Sequence, residues 1–304
     1  MWFKQASIYQ LSKVIKDPSE LSQLLEPLTF SPCLPSLASS MGWVSPMPNP
    51  HGPLVYRANQ FMLICLQFEE KILPASVIRQ AVQEKIIELE QNDSRRVSSK
   101  EKQNLKDEVT QTLLPRAFTK KSRVMGVIDL KTNWLILDTN NKPRSERFIG
   151  FLKRAIAPIT IQSLEVKKPS AVMTDWLNND ASGDFLIGQN GVLQDTQQFR
   201  RLIRFQCQDL HAVGVQTFLK ENCEVTQLAL SWKDQIQFVL NADFSLKNIK
   251  FQDAVLELAQ NDKTETAEQQ FDTDFVIMSE TLASLLDALV PEFVAVEIKE
   301  AIAA

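Results

Sequence analysis

Residues 98–128 read SSKEKQNLKDEVTQTLLPRAFTKKSRVMGVI, and the periodicity of this stretch changes partway along it. Leu105, Val109 and Leu113 recur every four residues, which places them in one stripe of an α-helix. Ser98-Ser99-Lys100-Glu101 stands before that stripe as a capping box. In such a box the serine hydroxyl and the glutamate three positions on satisfy free first-turn amides reciprocally. Pro115 ends the helix, because its ring removes an N–H and crowds the preceding turn. Beyond it, Val124-Met125-Gly126-Val127-Ile128 is a run of strand-forming residues. Helices and strands mixed in this way along the whole chain predict an α+β fold.

Upstream, Ile78, Val82, Ile86 and Leu89 form a second helical stripe, with Arg79, Glu84, Lys85 and Glu88 outside it. Gln91 to Lys100 is the polar turn between the two helices, which predict a protruding helical hairpin at about 76–118 with its basic residues exposed. Before the hairpin the chain predicts a strand within Trp2–Leu11, a short helix from Pro18 to Leu25, and a strand at about Leu54–Phe68. Residues 31–53 hold Pro32, Pro35, Pro46, Pro48, Pro50 and Pro53 and read mostly as loop. After the hairpin, Val124–Ile128 and Trp134–Leu137 flank a Lys131-Thr132-Asn133 turn, and residues 145–156 read as helix. The stretch from Ala157-Pro158 to Pro169 is the expected boundary between an N-terminal α+β region, 1–165, and a C-terminal one, 166–304. In the latter, Asn190-Gly191 signals a tight turn. Strands are expected near Leu202–Phe205, Glu224–Trp232 and Ile236–Leu240. Phe275, Met278, Leu282, Leu285 and Leu289 mark a helix in an acidic helical tail.

With 304 residues, 44% of them hydrophobic and 23% charged, the chain can bury a substantial core. No apolar run approaches the roughly 18 residues of a membrane span. Met1-Trp2-Phe3-Lys4-Gln5 lacks the features of a secretion signal, and four cysteines are too few for a disulfide scaffold. The expectation is a cytoplasmic protein without a membrane partner. The net charge of −4, from 33 basic and 37 acidic residues, argues by itself against a nucleic-acid binder. The distribution argues otherwise. Residues 95–168 hold 17 bases and 7 acids, whereas residues 251–304 hold 2 and 12. Such asymmetry points to a polyanionic partner, or to a basic block and an acidic tail that neutralise each other.

The chemistry-bearing motifs are sparse. His51 and His211 stand apart, and Cys33, Cys65, Cys207 and Cys223 are each isolated, so no metal site is expected. No glycine-rich phosphate loop and no nucleophile elbow occurs, so no cofactor is expected either. One constellation stands out. Glu69-Glu70-Lys71 after a strand resembles the acid-x-Lys end of a metal-dependent nuclease core, which also needs an upstream carboxylate. Residues 27–68 contain no Asp or Glu. The alternatives here are a nuclease using Glu69, Glu70 and Lys71, or a charged strand end.

The positive signal is the cluster Arg95, Arg96, Lys100, Lys102, Lys106, Arg116, Lys120, Lys121 and Arg123, against only Glu101, Asp107 and Glu108. Point charges at intervals along a surface suit phosphate contact, because each neutralised phosphate releases counterions. Nothing resembles a helix-turn-helix, a zinc finger or an RNA-binding aromatic signature, so contact with the DNA backbone would be independent of sequence. A solvated basic face is the other reading. Phe118, between Arg116 and Lys120, is either core or an exposed anchor, and a lone aromatic more often belongs to a core. The acidic tail could instead engage a basic protein partner.

Several islands resemble the bacterial recombination-associated RdgC family. They are Trp2-Phe3-Lys4, Met41 to Pro46, Glu69 to Pro74, Leu105 to Val109, Leu113 to Phe118, Leu228 to Trp232, Ile236 to Val239, Ser245-Leu246-Lys247 and Phe271 to Phe275. The resemblance implies a nucleoid-associated, non-enzymatic protein that binds double-stranded DNA without sequence preference. It further implies a homodimer closing a head-to-head, tail-to-tail ring around the duplex and restraining the RecA recombinase. Carried over, Phe118, with Leu114 near it, matches the aromatic at one dimer contact, and Arg116 matches a basic residue beside the same gate. Relatives are richer in lysine where this chain has Gln206-Cys207 and Gln227, so more of the DNA contact is expected on residues 95–123.

Overall fold

The capping box and the helical stripes sit where the sequence puts them. The computed structural model describes residues 1–13, 15–198, 201–261 and 266–293. The elements run β1 (Gln5–Leu11), α1 (Pro18–Leu25), β2 (Ser39–Val44), β3 (Val55–Ala58), β4 (Phe61–Ile72), α2 (Ala75–Asp93), α3 (Ser99–Leu113), β5 (Phe118–Asp129), β6 (Trp134–Leu137) and α4 (Lys142–Ala155). There follow β7 (Ile161–Ser163), α5 (Pro169–Asn179), β8 (Phe185–Asp195), β9 (Leu202–Phe205), α6 (Val213–Lys220), β10 (Cys223–Trp232), β11 (Ile236–Asn241), β12 (Leu246–Phe251), α7 (Asp253–Asn261) and α8 (Ala267–Phe293). The fold is α+β, and the twelve described strands join one sheet in the order β2-β4-β5-β6-β1-β12-β11-β10-β8-β9, with β3 on β4 and β7 on β1. The part of the acidic tail beyond Phe293 lies outside the described residues.

The chain divides into two compact units, and the division falls within β4 and β5. The larger holds Met1–Leu25, Ser45–Ile64 and the described part of Val124–Ala304. Its sheet runs from β6 through β1 to β12, β11, β10, β8 and β9, each pair antiparallel. The stripe predicted for the final helix is buried in full at Phe275, Met278, Leu282, Leu285 and Leu289. It packs in one cluster with Leu228, Leu230, Phe238, Leu240 and Leu246 of the strands. Each fully buried side chain of this kind stabilises the fold by about 1.5–3 kcal/mol. α4 packs Phe148 against Gly126 of β5, where an added Cβ would lie 2.7 Å from the ring. The expected boundary at 157–169 lies inside this unit.

The smaller unit holds Glu26–Val44 and Cys65–Arg123. Its centre is the antiparallel pairing of β2 with β4, in register from Ser39↔Glu70 to Val44↔Cys65. Gly42 is required there. A Cβ at this position would lie 2.2 Å from the Phe30 Cα, because the preceding loop crosses the strand at that point.

Three departures from the sequence reading have identifiable causes. β2 lies within the proline-rich stretch, but it occupies the interval between Pro35 and Pro46, which no proline interrupts. The expected strand at 54–68 is a hairpin, because Asn59 turns the chain at φ 51° between β3 and β4. Asn tolerates that left-handed conformation better than most residues. Asn190-Gly191 is not a turn but lies inside β8. The register between β8 and β10 shifts between Leu228 and Leu230, so the glycines there accommodate an irregular ladder.

Candidate nucleic-acid interface

The basic block enters the smaller unit through its helical hairpin. The side chain of Ser98 accepts from the Glu101 N–H at 3.3 Å, and Glu101 accepts from the Ser98 N–H at 2.8 Å, completing the predicted capping box. Glu101 also takes a two-pronged hydrogen bond from Arg95 at 2.8 and 3.1 Å. The Arg95 guanidinium, with the Ser98 backbone N–H second, holds the Glu101 carboxyl down to about 2. Lys85 of α2 meets Glu108 of α3 at 2.6 Å across the hairpin. Both side chains face solvent, so the pair contributes little, on the order of 0–1 kcal/mol. The stripes themselves are thinly covered: only Ile86 of α2 and Val109 of α3 are buried, with Val97 of the turn.

At the root of the hairpin, β5 leaves a 3-10 turn at Leu114–Arg116 and runs beside β4. Side chains two residues apart share a strand face, and here two such rows meet. Arg123 Nε donates to Gln67 Oε1 at 3.0 Å, and Lys121 Nζ stands 4.0 Å from Glu69 Oε1 and 5.6 Å from the centre of the Phe30 ring. Glu69 is buried and also accepts from the Cys33 N–H at 2.7 Å. Burial pushes the Cys65 thiol up to about 12 against the opposing effect of Arg123.

The nine predicted DNA-contact residues thus fall into two groups. Arg95, Lys121 and Arg123 are engaged with Glu101, Glu69 and Gln67. Arg96, Lys100, Lys102, Lys106, Arg116 and Lys120 are exposed. Among the described residues these six have no ion-pair partner. Their field is uneven. α3 balances Lys100, Lys102 and Lys106 against Glu101, Asp107 and Glu108, whereas residues 116–123 carry Arg116, Lys120, Lys121 and Arg123 with no acid. Phe118 sits in that segment 84% exposed, contrary to the rule that a lone aromatic belongs to the core. Leu114 is buried, so of the two residues expected at a dimer contact it is Phe118 that presents a surface.

The residues of the nuclease reading are brought to one strand end but not to one site. Glu69 and Glu70 point to opposite faces by strand alternation. Lys71 Nζ donates to backbone carbonyls, at 2.7 Å to Leu114 and 3.4 Å to Pro35. Among the described residues no three His, Cys, Asp or Glu gather as a metal would need, so this set does not fit a catalytic divalent ion.

The larger unit holds a second group of cations, which no spacing in the sequence marked. Lys247 of β12 donates to Gln227 Oε1 of β10 at 2.6 Å. Gln227 pairs with Val192 of β8, and Val192 with Arg204 of β9, so Gln227 and Arg204 share one face of the sheet. Desolvation first, and the positive Arg204 second, lower the pKa of the Lys247 ammonium. Nearby, a groove of about 810 Å³ is lined by Lys4, Gln189, Asn190, Gln237, Asn248 and Lys250 among others, with no carboxylate. Gln227 thus orients Lys247 of β12 from two strands away, across β11. Only strand register could have revealed the grouping.

Comparison with known proteins adds a further finding. The family model described as "Putative exonuclease, RdgC" matches residues 1–296. The Recombination-associated protein RdgC of Pseudomonas aeruginosa is 35% identical over 293 residues, covering 95% of this chain and 96% of the relative. The protein of the same name from Proteus mirabilis is 35% identical over 295 residues, covering 95% and 97%. That from Tolumonas auensis is 34% identical over 293 residues, covering 95% and 97%.

Proposed function

We propose, from the premise that this chain belongs to the RdgC family of recombination-associated proteins, that it binds double-stranded DNA without sequence preference as a ring-shaped homodimer and so restrains RecA. The observation that carries this reading is the segment 116–123, where Arg116 and Lys120, exposed and without an ion-pair partner among the described residues, stand on either side of the exposed Phe118 ring. Cations without carboxylate partners are free to release counterions from phosphate, and nothing about them distinguishes one base pair from another. Phe118 supplies the kind of rigid, exposed aromatic that anchors a protein contact. A two-fold axis would repeat both features, doubling the cationic track with no further sequence. DNA occupied in this way is withheld from the recombinase by exclusion. Arg204, Lys247 and the groove give the larger unit cationic surface of its own. The cell compartment that goes with this reading is the nucleoid-bearing cytoplasm; no described helix is long and apolar enough to cross a membrane.

The test is a titration of duplexes of unrelated sequence at several salt concentrations, with light scattering for subunit number. Equal affinities that fall steeply with salt, from a dimer, are the expected result. Strong preference for one sequence, or affinity indifferent to salt, would refute it. The word exonuclease in the family description keeps a nuclease reading in view. The opposed faces of Glu69 and Glu70 weigh against it, and the non-enzymatic reading is the one proposed.

A further inference from the structure

Lys71 takes no part in the DNA contact proposed above, yet its ammonium joins three separate segments of the smaller unit. Nζ donates to the carbonyl of Leu114 at 2.7 Å and to that of Pro35 at 3.4 Å, while its backbone N–H donates to Ala38 at 2.8 Å. Lys71 lies just before α2, which opens at Ala75, and Leu114 is the C-cap of α3. One side chain therefore stands at the first root of the hairpin and grips the second.

The grip answers a need of α3. The last carbonyls of a helix lack intrahelical donors and carry the negative end of its dipole. α3 has no basic residue in its own last turn, and Pro115 after the cap has no N–H to offer. The cation comes from 43 positions upstream instead. The same Leu114 carbonyl accepts from the Ala117 N–H at 3.2 Å, one residue before Phe118. Because α2 and α3 are covered chiefly by each other, contacts at the root decide where β5 begins.

We infer that Lys71 is a latch: its ammonium ties both roots of the helical hairpin together and so fixes the start of β5 and the outward presentation of Phe118. It is a positioning residue, and its consequence for self-association rests on the dimer reading above. The test compares the full-length protein with Lys71→Met, which keeps the aliphatic stem and loses the donor, and with Lys71→Arg, which keeps donors and charge. In Lys71→Met the amides of Ala117 to Lys120 exchange with deuterium roughly tenfold faster, as expected for loss of a charge-assisted bond. Exchange in α8 stays the same, dimerisation weakens, and Lys71→Arg restores both. Should Lys71→Met not fold, Lys71→Gln, with one neutral donor, reads the same amides and gives an intermediate rate. Unchanged exchange at Ala117 to Lys120 overturns the latch. Faster exchange with unchanged dimerisation upholds the latch and counts against Phe118 as the dimer contact.

Discussion

Lys120→Gln separates phosphate contact from every structural role in the basic block. Lys120 is exposed on β5, and among the described residues it has no ion-pair partner, so its loss leaves the fold as it is. Each phosphate contact adds about 0.9 to the slope of log affinity against log salt. Between 1 M and 0.15 M salt, about 0.8 of a decade, one contact is then worth about 0.7 of a decade in affinity, or roughly fivefold. In a two-fold dimer both copies are lost together, so the substitution should lower the slope by about 1.8 and weaken binding near 0.15 M roughly 30-fold. Lys121→Gln is the internal comparison, because Lys121 already faces Glu69 and the Phe30 ring and should change the slope by less. The assay is fluorescence anisotropy with one labelled duplex at four or five salt concentrations, repeated with an unrelated sequence. An unchanged slope in Lys120→Gln, or a larger change in Lys121→Gln, would refute the division into open and engaged cations.

Phe118→Ala should leave the melting temperature nearly unchanged, since a ring 84% exposed contributes little to folding, and should weaken self-association on light scattering. A dimer of unaltered strength would remove Phe118 from the contact. Gly42→Ala should destabilise the smaller unit by at least about 1–3 kcal/mol, because its Cβ would overlap the Phe30 backbone; a wild-type urea midpoint would show that the loop can yield. Glu101 has a folded pKa depressed to about 2, so its contribution to the hairpin is fully present above its ordinary carboxylate range. That contribution is lost as pH falls from the ordinary range through about 2, and circular dichroism of Glu101→Gln should lack this acid transition. Incubating a labelled duplex with magnesium or manganese should leave it intact, whereas products that vanish with Glu69→Gln would establish the nuclease reading.

What could be read from the sequence depended on whether the signal was local. The stripe of α8 was readable because five positions at helical spacing all face one core, and the capping box because its partners are three residues apart. β12 carried no comparable signal and went unrecognised; Asn248, at φ 53° inside it, interrupts the alternation that marks a strand. The exposure of Phe118 could not be read from its neighbours, since β5 changes from exposed to buried only at Val124. Composition pointed to the right segment but not to its strongest part. It weighted the lysines of α3, which are balanced by acids on the same helix, and the engaged Lys121 and Arg123 equally with the open Arg116 and Lys120. The contacts of Lys71 with Leu114 and of Lys247 with Gln227 were not legible for a common reason: the partners lie 43 and 20 residues apart, set by strand and helix placement.

The basic block serves two ends that a charge count merges. Arg95 holds the turn of the hairpin closed on Glu101, and Lys121 and Arg123 offset the polar side chains of Glu69 and Gln67, which are buried on β4. Buried polar groups without partners are costly, so Lys121 and Arg123 are needed by the fold, while Arg95 is held in the two-pronged bond to Glu101. They are therefore poor candidates for releasing counterions from DNA. The six exposed cations have the opposite balance, since nothing within the described chain neutralises them. An isolated protein gains nothing from keeping such like charges close together, because they repel. On the reading proposed above, a polyanion bound beside Phe118 relieves that repulsion for Arg116 and Lys120. A partner protein would need a surface tailored to Arg116 and Lys120 about Phe118, whereas phosphate at regular spacing meets those two open cations without one.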